Sequence, residues 1–482
     1  MFRTLRFVRA AMLLVALVGV VGGGPSHTQA QHATAIENVK AEREGRPEPV
    51  RFPFEFASGK IWIATTVNGK GPYWFALDTG APPTVIDMDV AREAGLEVKA
   101  NGTIGGAGEG TTPRGTVSNV TLGFGPFELR RKSMETIALG PRLDWANSRR
   151  VGGLIGNDWV IKHVVTIDYA NQEVIVHDPE TYEYHGDGII IPTRFGGYTF
   201  AIGSITAATK QAGALDHGSA PEQAAQNKPE IREPDAEPIR VKWMIDSGAG
   251  LSASLNTHLV NENNLLDMPT TMIEASVGFG LGGEVRHRVC RIPQLRLGEM
   301  VIDNPVVTLS QDKAGALAMR LFDGIIGGEV LSRFTVTLDR KRNRMILEPN
   351  ARYTLPMEYD MAGMSLVGPK RAAAKSEPAK GDDAAEQLRL DIHSPVTGLL
   401  RVLRVVTGSP AEEAGVQEGD EILSIDGVAV TIADRDRIRP LLREDGKERT
   451  IIFQRNGRTV EITIKLRRLV RGEQEPATPF TA

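Results

Sequence analysis

Several patterns that mark common classes of protein are missing from this chain. Cys290 is the one cysteine among 482 residues, so no internal disulfide can form and each domain must be held by its apolar core. The 56 Lys and Arg nearly balance the 60 Asp and Glu, which argues against a nucleic-acid partner. The nine histidines show no metal-site spacing. The sequence therefore predicts neither a metal nor another cofactor.

Two catalytic motifs and long apolar runs are also missing. Without Gly-x-Ser-x-Gly there is no serine-hydrolase elbow, and the glycine-rich segments lack the Gly-Lys-[Ser/Thr] ending of a phosphate loop. One run of 12 apolar residues, 10–21, follows three arginines and is too short to span a bilayer. It is typical of a secretory signal over residues 1–30, with an uncleaved anchor as the alternative. We therefore expect an exported protein, periplasmic or secreted, with no stable membrane insertion after signal cleavage.

The chain does contain a duplicated motif. An apolar run leads into Asp-Thr-Gly-Ala at residues 78–81 and into Asp-Ser-Gly-Ala at residues 246–249. At average composition, Asp-[Ser/Thr]-Gly should occur about 0.2 times in a chain of this length. Four further segments recur in the same order, and near-equal spacing of all five indicates a duplicated unit. The recurring segments are 102–110 and 277–284, 120–128 and 295–302, 153–156 and 324–327, and 165–176 and 336–347.

Alternating apolar residues broken by Gly, Asn and Pro predict strands in both units, which we place at residues 50–187 and 188–350, after a polar segment at 31–49. Residues 206–238 are rich in Ala, Gln, Pro and acid. They are predicted to be a disordered insertion that expands a hairpin turn of the second unit. The alternative is a linker between the two units.

Two aspartates brought together give a defined chemistry. Neighbouring carboxyl groups cannot both stay ionised, so one pKa rises and the pair shares a proton. The ionised member can take a proton from water while the protonated member hydrogen-bonds the carbonyl under attack. Asp78 and Asp246 are therefore the predicted catalytic residues, and Gly80 and Gly248 are expected to allow the tight turn after each of them.

At these residues the two units resemble the retropepsin-like branch of the aspartic protease family, over roughly residues 50–350. The resemblance implies a mainly β fold in which two β-barrel lobes, equivalent to a retropepsin dimer, are fused in a monomeric chain that cleaves protein or peptide substrates. A catalytically inactive peptide-binding or scaffold protein of the same fold is the alternative. It also implies that Thr79 and Ser247 tie the two Asp loops together. The implied flap and substrate-binding residues are Ile104, Gly105, Gly106, Ala107 and Gly108 in the first unit and Gly278, Phe279 and Gly280 in the second.

The C-terminal part of the chain resembles the PDZ family. In residues 408–427, Ser409 and Pro410 begin a predicted helix, and Asp-Gly forms a hairpin turn. The resemblance implies an α+β PDZ domain at residues 355–470, with a polar insertion at 370–386 and a tail at 471–482. A peptide C-terminus is its implied ligand. Because the domain carries no residue that the dyad needs, we expect it to be separable. The carboxylate-binding loop is placed at Gly363, Met364, Ser365 and Leu366, with residues 397–400 as the alternative.

Overall fold

The computed structural model describes residues 48–208, 237–368 and 398–472. Within these ranges no helix is both long enough and apolar enough to cross a membrane. Several predicted segments lie wholly or mostly outside the described residues: the signal 1–30, the polar segment 31–49, the insertions 206–238 and 370–386, and the tail 471–482.

The first unit consists almost entirely of strands. Strands β2 to β9 form an eight-stranded sheet in the order β2-β3-β4-β9-β5-β8-β7-β6, and a further pairing of β3 with β7 curls this sheet toward a barrel. The elements are β1 (Val50–Pro53), β2 (Glu55–Ala57), β3 (Lys60–Val67), β4 (Lys70–Asp78), β5 (Val85–Asp87), α1 (Met88–Glu93), β6 (Lys99–Ile104), β7 (Thr112–Phe124), β8 (Phe127–Ile137), α2 (Gly140–Asn147), β9 (Val151–Gly156), α3 (Asn157–Val160), β10 (Val164–Asp168) and β11 (Glu173–His177).

The second unit repeats the strand framework of the first, with two α-helices among its described residues where the first unit has three. Its strands β13 and β14 pair antiparallel as the two arms of one hairpin, so the chain between them, residues 207–238, connects strands within one unit. The elements are β12 (Ile189–Phe195), β13 (Thr199–Thr206), β14 (Ile239–Ile245), β15 (Ala253–Leu255), α4 (Thr257–Glu262), β16 (Ile273–Gly280), β17 (Gly283–Arg291), β18 (Gln294–Leu297), β19 (Met300–Asp303), β20 (Val306–Leu309), β21 (Gly324–Ile326), α5 (Gly328–Leu331), β22 (Phe334–Asp339) and β23 (Arg344–Pro349).

A continuous run of strands joins the two units, in the order β1-β11-β10-β22-β23-β12. At its centre β10 and β22, which are equivalent in the repeat, pair antiparallel with Thr166 opposite Thr337. Their hydroxyl oxygens are 2.7 Å apart. The pseudo-two-fold axis that relates the units therefore passes beside these two threonines.

The third domain is an α+β fold with its own apolar core, which includes Leu400, Val402, Ile422 and Phe453. Its strands run in the order β24-β25-β26-β28-β29, with β27 beside β26. The elements are β24 (Met364–Val367), β25 (Leu400–Val405), α6 (Pro410–Glu413), β26 (Glu421–Ile425), β27 (Val428–Ala429), α7 (Arg435–Leu441), β28 (Glu448–Arg455) and β29 (Arg458–Lys465).

The predicted carboxylate-binding loop has a different conformation. Met364, Ser365 and Leu366 lie in strand β24, because their backbone pairs with β25 and the Met364 side chain is buried in the domain core. Gly363 comes before the strand, with a φ of 84°. The prediction of a loop is therefore wrong for three of these four residues, while their binding of a peptide stays a prediction. In the alternative segment, Gly398 O accepts from Ile432 N at 3.1 Å.

The third domain also shares a buried interface with the second unit. Val406 and Val470 pack against Val289 of β17 and its neighbours. Arg291, which is 7% exposed, forms an ion pair with Glu358 at 2.6 Å and donates to Val470 O at 3.2 Å. The third domain therefore covers part of the core of the second unit. This contact argues against a separable domain, a prediction that only a truncated chain can test.

Candidate active site

The duplication brings the two predicted catalytic aspartates together. Asp78 ends β4, which runs parallel to β9 and pairs Asp78 with Gly156. Asp246 directly follows β14, which runs parallel to β21 in the equivalent way. The two carboxyl groups lie within hydrogen-bonding distance of each other. The equivalent strand of each unit therefore delivers one carboxyl group to the pseudo-two-fold axis.

The hydroxyl residues after each aspartate bind the opposite loop. Thr79 Oγ1 donates to Ile245 O at 2.7 Å and accepts from Ser247 N at 3.0 Å. Ser247 Oγ donates to Leu77 O at 2.7 Å and accepts from Thr79 N at 3.2 Å. Both residues are 1% exposed. These reciprocal hydrogen bonds fix the separation of the two Asp loops.

Gly80 and Gly248 make room for the opposite carboxyl group. A Cβ on Gly80 would come closer than 3.0 Å to Asp246 Cγ, and a Cβ on Gly248 would do the same to Asp78 Cγ. Neither glycine has a positive φ, so the tight turn invoked from the sequence is not the reason for glycine here. The requirement is space for the partner carboxyl group.

The surroundings of the two carboxyl groups differ. Desolvation and the neighbouring charge of Asp246 raise the pKa of Asp78 well above its usual range. One backbone hydrogen bond, from Gly80 N at 2.9 Å, opposes this shift. Desolvation also raises the pKa of Asp246, but two backbone groups oppose it, Gly248 N at 2.8 Å and Ala249 N at 3.1 Å. The two carboxyl groups therefore favour sharing one proton, and Asp78 is the member whose pKa is raised further.

A different side chain stands beside the dyad in each unit. In the first unit β3 pairs antiparallel with β4, and Trp62 lies opposite Ala76. Extending this register by two residues places Lys60 opposite Asp78. In the second unit the same register, with Phe200 opposite Met244, brings Tyr198 level with Asp246. Lys60 and Tyr198 are therefore equivalent positions of the duplicated unit.

These two positions make the electrostatics of the dyad unequal. Desolvation and the charge of Arg435 lower the pKa of Lys60 to about 8, although both aspartates oppose this shift. Desolvation and the charges of the two aspartates raise the pKa of Tyr198. One flank of the dyad thus carries a cation and the other carries a neutral phenol.

The predicted flap residues belong to two hairpins, β6–β7 and β16–β17, whose tips touch. Gly282 N donates to Ala107 O at 2.8 Å, and Gly110 N donates to Gly282 O at 2.8 Å. A Cβ on Gly108 or on Gly280 would collide with the opposite tip, so glycine is required at both positions. Gly105 and Gly278 have no such neighbour within 3.4 Å.

Apolar side chains of the flaps reach the walls of the cleft. Ile104 and Leu281 pack on the cluster around Trp62 in the first unit, while Ala107 packs on the cluster around Phe200 in the second. A Cβ added to Gly106 would lie 3.0 Å from the Cβ of Leu281. Leu281 was missed by the sequence analysis, although an apolar residue between glycines at a hairpin tip could have indicated it.

The third domain contacts the cleft through helix α7. Arg435 of this helix donates to Ala146 O at the end of α2, and Asp436 accepts from Ser58 N at 2.9 Å, in the turn before Lys60. Sequence analysis missed both Lys60 and Arg435, because no local motif marks either residue.

A second contact links the third domain to the second flap through α2. The Trp145 ring lies 5.1 Å from the ring of Phe279, a predicted flap residue. Gly368 N, just after β24, donates to Trp145 O at 2.9 Å. Trp145 thus bridges the first unit, the second flap and the third domain.

Other reactive groups are placed away from this chemistry. Burial raises the pKa of Cys290 in β17 to about 12, so this thiol is protonated and unreactive at neutral pH. Among the described residues, no group of three or more His, Cys, Asp or Glu could hold a metal ion.

Two family models match the chain. Residues 63–159 match the aspartyl protease model, and residues 401–455 match the PDZ domain model. No curated protein matches the chain. The chain thus carries an aspartyl protease-like domain and a C-terminal PDZ domain, a module for peptide or protein binding. These matches and the mainly β architecture confirm the fold class predicted from the sequence.

Proposed function

We propose that this protein is an aspartic endopeptidase whose active site is the pair Asp78 and Asp246. The observation that carries the proposal is the hydrogen-bonded pair of carboxyl groups at the axis between two equivalent units. The raised pKa of Asp78 supports it, because a dyad of this kind works with one shared proton.

In the proposed mechanism each carboxyl group has one role. Asp246 takes a proton from a water molecule held between the two carboxyl groups, while Asp78 donates a hydrogen bond to the scissile carbonyl oxygen. The water oxygen adds to the carbonyl carbon and a tetrahedral diol forms. A proton then passes to the leaving amine as the C–N bond breaks. This route needs no covalent intermediate.

The substrate would lie extended beneath the two flaps, with apolar side chains displacing Leu281 and Ala107 from the wall clusters. The PDZ domain would bind a second segment of substrate or partner, for example a peptide C-terminus. We further propose that the protein is exported and acts in the periplasm or outside the cell, on the basis of the signal-like residues 1–30.

Asp78→Asn and Asp246→Asn test the proposal. Each variant should lower the turnover of an unfolded protein pool by about 10²- to 10⁴-fold while the protein stays folded, since each removes one general acid or base. Asp89→Asn, at an exposed position of α1, is the matched control and should retain activity. Assays from acid to neutral pH, with and without a pepstatin-like inhibitor, give the readout. Near-normal turnover in either dyad variant would sink the assignment.

The same experiment addresses the inactive alternative. A peptide-binding or scaffold protein of this fold would cleave nothing at any pH, yet would still bind unfolded protein. The intact pair of aspartates favours the enzyme, because a protein that only binds peptide needs neither carboxyl group.

A further inference from the structure

Three cationic side chains lie on one side of the dyad: Lys60, Arg435 and Arg439. Lys60 is within electrostatic reach of both catalytic carboxyl groups and of both arginines. Arg435 and Arg439 are one turn apart on α7, so they share one face of this helix. These three residues are called the cation cluster below. Two of its members come from the PDZ domain and one from the first unit.

Two members of the cation cluster, Lys60 and Arg435, are held at the C-terminal end of α2. Lys60 Nζ donates to Asn147 Oδ1 at 2.7 Å, and the Arg435 guanidinium donates to Ala146 O. Backbone carbonyls at a helix C-terminus carry partial negative charge and attract cations. These neutral oxygens position the cations beside the dyad but do not cancel their charge.

No carboxylate forms an ion pair with these cations, although the charge of Asp436 acts on Arg435 and Arg439 lies within electrostatic reach of Asp360. Within residues 48–208, 237–368 and 398–472, none of the three cations has a carboxylate oxygen within 4.0 Å, whereas neighbouring arginines are paired: Arg437 with Asp434 at 3.0 Å and Arg443 with Glu329 at 3.1 Å.

Two members of the cation cluster, Lys60 and Arg435, are also only partly exposed to solvent. Desolvation, with the charge of Arg439, lowers the pKa of Arg435 to about 10. Asp436 offsets part of the charge of Arg435, and the singly protonated dyad supplies one further negative charge near Lys60. Positive charge held out of water without a counter-ion is unfavourable, and an anion that arrives with the substrate would relieve it.

We propose that the cation cluster is a subsite for a carboxylate group of the substrate, and that the enzyme prefers peptides with an acidic group on the PDZ side of the scissile bond. The inference rests on the proposed function. Arginine suits this role because its planar guanidinium can bind both oxygens of a carboxylate. The carboxylate can be an acidic side chain or the C-terminus of a peptide, and the chemistry is the same for both.

Matched fluorogenic peptides test the proposal on the full-length protein. A set of peptides is made from one apolar parent, each with a single Glu, or its isostere Gln, at one position on either side of the cleaved bond. Every peptide is made with a free and with an amidated C-terminus. The wild type should favour the acidic member at one position by about tenfold to a hundredfold in kcat/KM, mainly through KM, since a charged hydrogen bond is replaced by a neutral one. A preference for Glu identifies a side-chain ligand, and a preference for the free C-terminus identifies a terminal one.

Variants of α7 connect the preference to the cation cluster. Arg435→Gln should bring the ratio of acidic to neutral peptide close to one, and Arg435→Lys should restore part of it. Arg437→Gln is the matched control, because Arg437 is on the same helix but is exposed and paired with Asp434. An unchanged ratio in Arg435→Gln would overturn the proposal, as would equal kcat/KM for all acidic and neutral peptides in the wild type.

A binding measurement separates this inference from the proposed function. Fluorescence anisotropy with the Asp78→Asn protein reports Kd for the same peptides without any cleavage. If the wild type cleaves no peptide, the proposed function fails, but tighter binding of the acidic peptides still supports the subsite. If the wild type cleaves and the Kd values of acidic and neutral peptides are equal, the subsite fails and the protease assignment stands.

Discussion

Each glycine that follows a predicted catalytic aspartate faces the carboxyl group of the other unit. Gly80 therefore serves Asp246, and Gly248 serves Asp78. The sequence identified both glycines from their motif, but it attributed them to a turn within their own loop. Only the assembled structure shows that the requirement comes from the opposite unit, because the relevant distance lies between residues far apart in the chain.

Gly80→Ala and Gly248→Ala should therefore inactivate the dyad. The added methyl group pushes the opposite carboxyl group away, and overpacking of this kind destabilises proteins by about 1–3 kcal/mol. We expect kcat to fall much further than stability, as measured by peptide turnover and urea unfolding of each variant. Gly196→Ala is the control, since nothing lies within 4 Å of its Cβ position. Full activity in Gly80→Ala would contradict the contact.

The shared proton predicts a pH dependence of stability. Asp78 has a folded-state pKa above its unfolded value. Its contribution to stability is therefore complete below the unfolded pKa, about 3.9, and is lost as pH rises through the folded pKa. Asp78→Asn should accordingly become more stable than the wild type as pH rises, by about 1.4 kcal/mol for each unit of pKa shift. Urea unfolding from acid to neutral pH measures this difference, and a difference that shrinks with rising pH would contradict it.

At the scale of elements, the two flap hairpins differ in what holds them. The β6–β7 and β16–β17 tips bind each other through backbone groups, but the second flap has the additional ring contact between Phe279 and Trp145. Since α2 carries Trp145 and also binds Arg435, this short helix connects the second flap to the PDZ domain.

Trp145→Ala should loosen the second flap. Loss of an aromatic pair costs about 0.5–1.5 kcal/mol, so hydrogen exchange of the β16–β17 amides should be faster by roughly two- to tenfold, while β10 and β22 in the shared sheet are unaffected. Phe279→Ala should have the same effect, and the double variant should add little, because both single variants break one contact. Additive effects of the two substitutions would show that the rings act independently.

At the scale of the whole molecule, the PDZ domain packs against the two aspartyl protease-like units. Arg291 and the apolar residues of β17 are covered by Val406 and Val470, and the cation cluster includes two residues of α7. A chain ending at Met357 should melt lower by on the order of 10 °C, because it leaves the buried charge of Arg291 without Glu358. It should also lose activity on short peptides.

Thermal melts and peptide assays of the truncated and full-length chains measure this effect. Glu358→Gln, which removes the ion pairs of Glu358 with Arg291 and with Arg468 but keeps the domain, is the control that separates the loss of these pairs from the loss of the whole domain. A truncated protein with unchanged melting temperature and turnover would restore the modular view that the sequence alone suggested.

A feature could be predicted from the sequence when the residues that define it lie close together in the chain. The aspartates, the duplication and the third domain come from local motifs and their repetition, so they were accessible without coordinates. Lys60 and Arg435 approach each other only when the third domain packs on the first unit. No periodicity or short motif encodes that packing, since it depends on side chains hundreds of residues apart.

The unequal flanks of the dyad, Lys60 in one unit and Tyr198 in the other, give the cleft a direction. A site made from two identical units can accept a peptide in either orientation, because the two-fold axis makes both equivalent. In this fused chain only one orientation sets an acidic group against the cation cluster. Cleavage sites aligned on the broken bond should then show acidic residues on a single side. Divergence at one equivalent position after gene duplication would thus have turned a symmetric cleft into one that distinguishes the N-terminal from the C-terminal half of its substrate.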